Sequence, residues 1–119
     1  MEKVIFISVP TTFQSEKAAL EAAQKAENES REIGFKNVVN PFKAGLYISD
    51  PQLKESRLKW LKKCTAVYFL NGWNECEQAS DEFLFIQGKG IDILFECNKL
   101  QLLHYLEFGG TIFNFKSKD

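Results

Sequence analysis

A carboxylate on the apolar face of a predicted helix is the first feature of this sequence that suggests chemistry. Residues 75–87 form a predicted helix whose apolar stripe contains Ala79, Phe83 and Ile86, and Glu82 falls on the flank of that stripe. Burying a carboxylate without a partner is expensive, so Glu82 should either have a partner or act on a ligand. The alternative is a salt-bridged or partly exposed glutamate with a structural role only.

A cation interrupts the apolar face of the preceding predicted helix in the same way. Arg57 lies among the apolar residues of that face, which are Leu53, Trp60, Leu61 and Cys64. Arg57 could pair with Glu82, or its planar guanidinium could bind a phosphate or carboxylate of a ligand. It could also simply cover the core with its aliphatic stem while its charge reaches water.

Strand-like and helix-like segments alternate along the whole chain. Apolar runs predict strands at residues 3–9, 37–40, 66–70, 91–95 and 111–115. Helices are predicted over residues 14–33, 50–63, 75–87 and 98–107, with Ser15 and Gly34 marking the ends of the first one. We therefore expect a single α/β domain spanning residues 1–119. It should be a flavodoxin-like or Rossmann-like three-layer sandwich with about five mostly parallel strands in the order 2-1-3-4-5.

In such a fold ligands bind at the carboxyl ends of the strands, beside the switch point in strand order. The loops after the first three strands bring six candidate ligand-binding residues to this edge, namely Ser8, Pro10, Thr11, Asn40, Gly72 and Trp73. The hydroxyl groups could bind a sugar or phosphate, although Ser and Thr are also ordinary turn residues. The tryptophan could stack on a base or cover the core. The glycine patterns of dinucleotide and P-loop sites are absent from the sequence, and we expect no cofactor.

Composition and charge argue against two classes of partner and favour one cellular location. The net charge is −1, from 15 basic and 16 acidic residues, which argues against binding to a nucleic-acid polymer. No apolar run approaches the roughly 20 residues that cross a bilayer, so no membrane partner is expected. Three cysteines without a CxxC spacing predict neither a disulfide framework nor a metal site, and favour a cytoplasmic location. The single histidine, His104, is interpreted as a helix-surface residue.

Several short motifs follow one another in a recognisable order. They are Ile7-Ser8-Val9-Pro10, Val38-Val39-Asn40-Pro41, Leu58-x-x-Leu61-x-x-Cys64, Ala66-Val67-Tyr68-Phe69-Leu70-Asn71-Gly72-Trp73 and Ala79-Ser80-Asp81-Glu82. Over about residues 3 to 95 this order resembles the nucleoside 2-deoxyribosyltransferase-like superfamily, in particular its small bacterial and phage branch of uncharacterised domains.

The resemblance implies a ligand, a reaction and an assembly. In the transferases a helix glutamate attacks C1′ of the sugar and forms a covalent deoxyribosyl intermediate, and the matching residue here is Glu82. The resemblance thus implies an enzyme acting on the N-glycosidic bond of a nucleoside or nucleotide. It also implies a homodimer or higher homo-oligomer, because a neighbouring subunit helps to close each pocket in those enzymes.

The sequence also departs from the family pattern. Val9 replaces a glycine, Gln78 replaces another glycine, and Arg57 and Thr65 replace two aspartates. The missing aspartates imply weaker acid assistance to the leaving base. Two alternatives to the enzyme therefore stay open: a non-catalytic nucleotide-binding or sensor domain, and an interaction protein with a vestigial pocket.

The pairing of Glu82 with Arg57 gives a more specific expectation. Both residues interrupt apolar faces of helices that should flank the third strand, so their side chains should converge. In the unliganded protein we expect the charge of Arg57 to lower the pKa of Glu82. A ligand phosphate that draws Arg57 away would release Glu82 toward the sugar, and the protein would then prefer nucleotides to nucleosides.

Overall fold

The computed structural model describes residues 3–10, 13, 15–45, 54–96 and 100–108. Its strands are β1 (Val4–Ser8), β2 (Asn37–Val39), β3 (Ala66–Phe69) and β4 (Asp92–Phe95). Its helices are α1 (Glu16–Ile33), α2 (Lys54–Lys62), α3 (Glu77–Ile86) and α4 (Leu100–Phe108), with a 3₁₀ turn at Trp73–Glu75 before α3. The bounds of these strands and α-helices differ from the predicted ones by four residues at most.

The strands form one parallel sheet in the order β2-β1-β3-β4. The register pairs Ile5 with Val38 and Ile7 with Tyr68, and Tyr68 in turn pairs with Leu94. The predicted fold class and the order of these strands are confirmed. The fifth predicted strand, at 111–115, lies outside the described residues, as do the predicted start of α2 at Asp50 and Pro51.

Two apolar layers cover the sheet, one on each face. Alternate strand residues point to opposite faces. Ile5, Ile7 and Tyr68 therefore pack with the alanine stripe of α1 and with α4. Phe6 and Phe69 pack on the other face, with α2 and α3. The result is the expected three-layer sandwich, with α1 and α4 on one face and α2 and α3 on the other.

The ends of α1 follow the sequence closely. The Ser15 side chain accepts a hydrogen bond from the Ala18 amide at 3.1 Å, which caps the first turn. Gly34 ends the helix at φ 133°, a conformation that favours glycine, and its amide donates to the Ser30 and Arg31 carbonyls. The prediction of both helix ends from Ser15 and Gly34 is confirmed.

The prediction that Trp60 lies on the packed face of α2 is wrong. Trp60 is 37% exposed, whereas Arg57 and Leu61 are buried. Arg57 and Leu61 are four residues apart and share the face that packs on α3, and Trp60 turns away from it.

Among the described residues, no helix has the length and apolarity needed to cross a membrane.

Candidate functional site

The candidate site lies at the carboxyl edge of the sheet, between β1 and β3. The chain leaves β1 for α1 on one face of the sheet and leaves β3 for α3 on the other face. This divergence is a switch point, and it opens the crevice in which α/β proteins bind ligands. Ser8 is the last residue of β1 and pairs with Phe69, the last residue of β3. Ser8 is therefore at the switch point, as the sequence predicted.

Three side chains from three elements meet at this point and form what we call the Ser8–Glu82–Arg57 cluster. The Ser8 hydroxyl donates to Oε1 of Glu82 at 2.7 Å. Nε of Arg57, on α2, donates to Oε2 of the same carboxylate at 3.0 Å, which makes a salt bridge. Ser8, Arg57 and Glu82 are only 1%, 5% and 3% exposed. Both oxygens of the Glu82 carboxylate are thus held by buried donors.

Simple periodicity explains why these residues meet. Phe6 faces α2 and α3, and the two-residue period of a strand places Ser8 on the same face. On α3, Glu82 follows Ala79 by three residues and precedes Ile86 by four, and all three are buried. The expectation that Glu82 and Arg57 interrupt apolar faces and converge is therefore confirmed.

The electrostatics of Glu82 differ from the expectation. Burial raises the pKa of Glu82 above its ordinary value of 4.5, and the Ser8 hydrogen bond and the Arg57 charge offset only part of this effect. The nearby charge of Asp81 raises this pKa further. Arg57 does lower the pKa of Glu82, as predicted, but the expectation of a net lowering is wrong, because the hydration that the carboxylate loses on burial outweighs the ion pair.

The cluster has definite chemical capacities. A carboxylate fixed by two donors can attack an electrophilic carbon, stabilise a developing positive charge, or accept a proton from a ligand hydroxyl. A higher pKa makes the Glu82 carboxylate a stronger base. Each oxygen of Glu82 accepts one hydrogen bond from this cluster and has a second lone pair, so a ligand that reaches Glu82 either adds to the bonds from Ser8 and Arg57 or replaces one of them.

Asn40 belongs to a second polar cluster, on the α1 face of the sheet. Its Nδ2 donates to Oε1 of Glu27 at 3.2 Å, and its Oδ1 accepts from the Phe42 amide at 3.0 Å. Its backbone carbonyl accepts from the amides of Lys43 and Ala44. Asn40 therefore shapes the turn after β2 and holds it to α1, and the structure does not bring it together with Glu82.

Glu27 is a buried carboxylate that the sequence reasoning missed. It is 4% exposed, and it also pairs with Lys43 at 3.0 Å and with Arg31 at 2.9 Å. Burial acts to raise the pKa of Glu27, but hydrogen bonds from Lys43, Asn40 and Arg31 outweigh it and bring this pKa below 4.5. The signal was present in the sequence, because Glu27 follows Ala23 of the alanine stripe by four residues.

Trp73 covers the core at the carboxyl edge. Its ring lies 4.7 Å from Phe83, 5.5 Å from Phe95 and 5.4 Å from Phe69, measured between ring centroids. Gly72, directly before it, has φ 95° and starts the 3₁₀ turn. Of the two interpretations of Trp73, the structure shows the packing role. The half-buried ring still forms part of the edge near Glu82's helix.

The remaining candidates lie around the end of β1. Pro10 is buried directly after the strand. Val9 is 3% exposed and packs into the core on the α1 and α4 face, so its side chain points away from the face that carries Ser8. Thr11 lies outside the described residues.

Thr65 lies at the opposite edge of the sheet. Its hydroxyl accepts hydrogen bonds from the Val4 amide at 2.9 Å and from the Tyr105 hydroxyl, and donates to the Val4 carbonyl at 3.1 Å. β3 separates this position from the carboxyl edge by about 13 Å, at about 3.3 Å per residue. An aspartate here could not assist a base leaving near Glu82. The expectation that Thr65 removes an acid from the site is therefore wrong.

The described residues offer no ready metal centre. Within that part of the chain, no three His, Cys, Asp or Glu side chains come together in a way that could hold a metal ion.

Fold and site together define a class: a doubly wound α/β protein with a buried carboxylate at the switch point of its sheet. A scan against protein-family models found no match, and searches of curated proteins and of solved structures found none either. The resemblance to the nucleoside 2-deoxyribosyltransferase-like superfamily stays a prediction that rests on the order of the motifs.

Proposed function

We propose that the protein binds a nucleoside or nucleotide at the carboxyl edge and acts on its N-glycosidic bond through Glu82. The observation that carries this proposal is the buried Glu82 carboxylate at the switch point, oriented by Ser8 and Arg57. A buried ion pair contributes little net stability compared with apolar side chains of similar size. Its presence where ligands bind therefore supports a role in binding or catalysis. The order of the motifs supports the choice of ligand.

The reaction can be written with this chain's own residues. An oxygen of Glu82 bonds to C1′ of the sugar while the bond from C1′ to the base nitrogen breaks. The electron pair leaves with the base, which takes a proton from water. Water attacks C1′ of the glycosyl ester in hydrolysis, and a second base attacks it in transfer. The attacking group loses a proton, which replaces the one that the first base took from water. Either route restores the carboxylate, and Ser8 orients it throughout.

Arg57 gives the site a preference among ligands. A nucleotide phosphate would compete with Glu82 for the guanidinium, whose fork matches phosphate oxygens. Moving Arg57 to the phosphate frees one oxygen of Glu82, while Ser8 still donates to the other. Nucleotides should therefore bind more tightly than nucleosides.

A second candidate function is a non-catalytic nucleotide-binding or sensor domain. The observation that favours it is that both oxygens of Glu82 already accept hydrogen bonds from residues that are themselves buried. In this case the ligand binds at the same edge, and the cluster responds to it without attacking the sugar.

We also propose that the protein is a homodimer in a reducing cytoplasm. Three apolar side chains on α4 are exposed and would suit a contact with a second copy: Leu100, Leu103 and Phe108.

Cys64 and Cys76 are buried thiols, as a reducing compartment would leave them.

The first experiment incubates wild-type protein with 2′-deoxynucleosides and with their 5′-monophosphates. Chromatography measures released base and transferred sugar, and calorimetry measures binding. We expect base release that is lost in Glu82→Gln, because an amide cannot act as the nucleophile. We expect tighter binding of the monophosphate, and we expect Arg57→Ala to abolish that difference.

The matched control is Glu77→Gln, which alters an exposed glutamate in the first turn of the same helix. Binding without base release would favour the sensor domain over the enzyme. If neither ligand class binds or reacts, both candidate functions are wrong. Equal affinity for the nucleoside and its monophosphate would contradict only the proposed role of Arg57, and would leave both candidate functions open.

A further inference from the structure

A small cavity lies at the amino edge of the sheet, opposite the Ser8–Glu82–Arg57 cluster. It has a volume of about 160 Å³ and is lined by Lys3, Gly34, Phe35, Lys36, Asn37 and Leu106. These residues come from the starts of β1 and β2, the end of α1 and the last turns of α4. The cavity is an open cleft with a partly polar lining, so a small ligand can lie in it with one side toward solvent.

Fixed apolar groups form part of its wall. Phe35 is 3% exposed, and its ring stacks on Tyr105 with 6.0 Å between centroids. Leu106 of α4 approaches Gly34 so closely that an added Cβ on the glycine would lie 2.9 Å from its Cδ2. The two helix ends therefore meet here without a side chain between them, and the shape of the wall depends on Gly34.

The charged groups of this cavity all have one sign. Lys3 and Lys36 are the ionisable residues among those that line it, and none of the described lining residues is acidic. Lys3 Nζ lies 6.0 Å from the centroid of the Tyr105 ring, the same ring on which Phe35 stacks. The Arg31 guanidinium donates to the Lys36 carbonyl at 2.9 Å and fixes the turn that carries Lys36.

We propose that this cavity binds a small carboxylate with a flat apolar body. The body packs against Leu106 and the backbone around Gly34 and Phe35, and the carboxylate lies between Lys3 and Lys36 with the Asn37 amide as a further donor. The site is separate from the carboxyl edge, since the length of the sheet lies between them, and it does not depend on the function proposed there.

The competing explanation is that Lys3 and Lys36 only balance the negative ends of two helix dipoles. α1 and α4 both end near this edge, and cations are favourable at helix C-termini. In that case the lysines act within the folded chain, and an added carboxylate gains nothing from the cavity. Binding of a carboxylate and its neutral counterpart separates the two explanations.

The test uses benzoate as the probe and benzamide as its neutral counterpart, at constant ionic strength. Amide chemical shifts of the full chain are followed by NMR during each titration. We expect benzoate to shift the amides of residues 34–37 and 106, with a dissociation constant of about 1 mM for so small a ligand. Benzamide should bind several times more weakly.

Lys3→Gln and Lys36→Gln should each weaken benzoate binding about threefold, the usual scale for a solvent-accessible ion pair. The matched control is Lys25→Gln, which removes an exposed lysine from the middle of α1. The proposal is overturned if these amides do not shift, if benzamide binds as tightly as benzoate, or if Lys25→Gln weakens binding as much. Base release through Glu82 should be unchanged in both lysine variants.

Discussion

Two buried glutamates show how the surroundings of a residue decide its chemistry. Glu82 and Glu27 are similarly buried, at 3% and 4% exposed, but their pKa values shift in opposite directions. Glu27 is bound by two cations and an amide, and together these outweigh the cost of burial. At Glu82 the loss of hydration exceeds what Ser8 and Arg57 return. Glu82 is therefore the carboxylate closer to protonation.

This difference predicts opposite pH dependences of stability. A raised pKa means that the folded state binds the proton more tightly than the unfolded state does. The contribution of Glu82 to the free energy of unfolding therefore falls as the pH rises above the pKa of Glu82 in the unfolded chain, near 4.5. A lowered pKa means that Glu27 contributes stability above about 4.5, and that this is lost as the pH falls through its folded pKa. The free energy of unfolding of wild type minus Glu82→Gln should fall with rising pH, whereas wild type minus Glu27→Gln should rise.

Chemical denaturation between about pH 3 and pH 7 measures both differences, because the change for Glu27 falls below its unfolded value and the change for Glu82 falls above it. Each variant serves as the control for the other, because glutamine does not titrate and the other carboxylate stays in place. A difference for Glu82→Gln that increases with pH would show that Ser8 and Arg57 together outweigh burial and bring the pKa of Glu82 below its ordinary value.

At the scale of elements, the sequence predicted strands and helices well because each carries its own local signals. The apolar runs, the Ser15 cap and the Gly34 stop all act within a few residues of themselves. Contacts between elements are a different matter. Whether Trp73 stacks on a ligand or on the core depends on Phe83 and Phe95, which belong to other elements.

The same distinction explains the site. Glu82 could be predicted because helical periodicity alone places it on a packed face. The Asn40 side chain could not be assigned in this way, since it follows β2 and its partner, Glu27, lies on α1. Thr65 was misassigned because a motif gives the order of residues along the chain, whereas the edge of the sheet on which a residue lies depends on where the strand begins.

The ion pair between α2 and α3 gives a prediction at this scale. Arg57→Leu leaves the Glu82 carboxylate buried without its cation, and should lower the free energy of unfolding by about 3–5 kcal/mol. Arg57→Leu combined with Glu82→Leu should recover most of that loss, because no charge then remains buried. The Ser8 hydroxyl loses its acceptor, which costs about 1–3 kcal/mol.

Urea denaturation of the two single variants, the double variant and wild type gives the coupling energy between the two residues. Lys59→Leu, on the exposed side of α2, is the control and should change stability little. If the effects of the single variants simply add in the double variant, α2 is not held to α3 through this pair.

At the scale of the whole molecule, the strand order follows from general rules of chain connection. Parallel strands joined by right-handed crossovers, with helices on both faces, permit few arrangements for a chain of this length. The observed order β2-β1-β3-β4 is one of them, and it fixes the switch point beside Ser8. No comparable rule predicts the oligomeric state from the sequence, because it depends on surface side chains that the fold does not constrain.

The surface of α4 therefore carries the last prediction, the proposed homodimer. Leu100 and Phe108 are 67% and 71% exposed, and Leu103 is 43% exposed, so three large apolar side chains lie on the outer side of this helix beside the exposed Glu107. A group of exposed apolar side chains often marks a protein–protein contact, and a second copy would bury this one. Sedimentation at tens of micromolar should give a dimer for wild type and a monomer for Leu103→Glu, since a charge in the contact loses its hydration. Leu84→Glu, at an equally apolar exposed position on α3 across the sheet, should leave the dimer intact. A wild-type monomer would refute the dimer, and a dimer lost equally in both variants would refute its placement on α4.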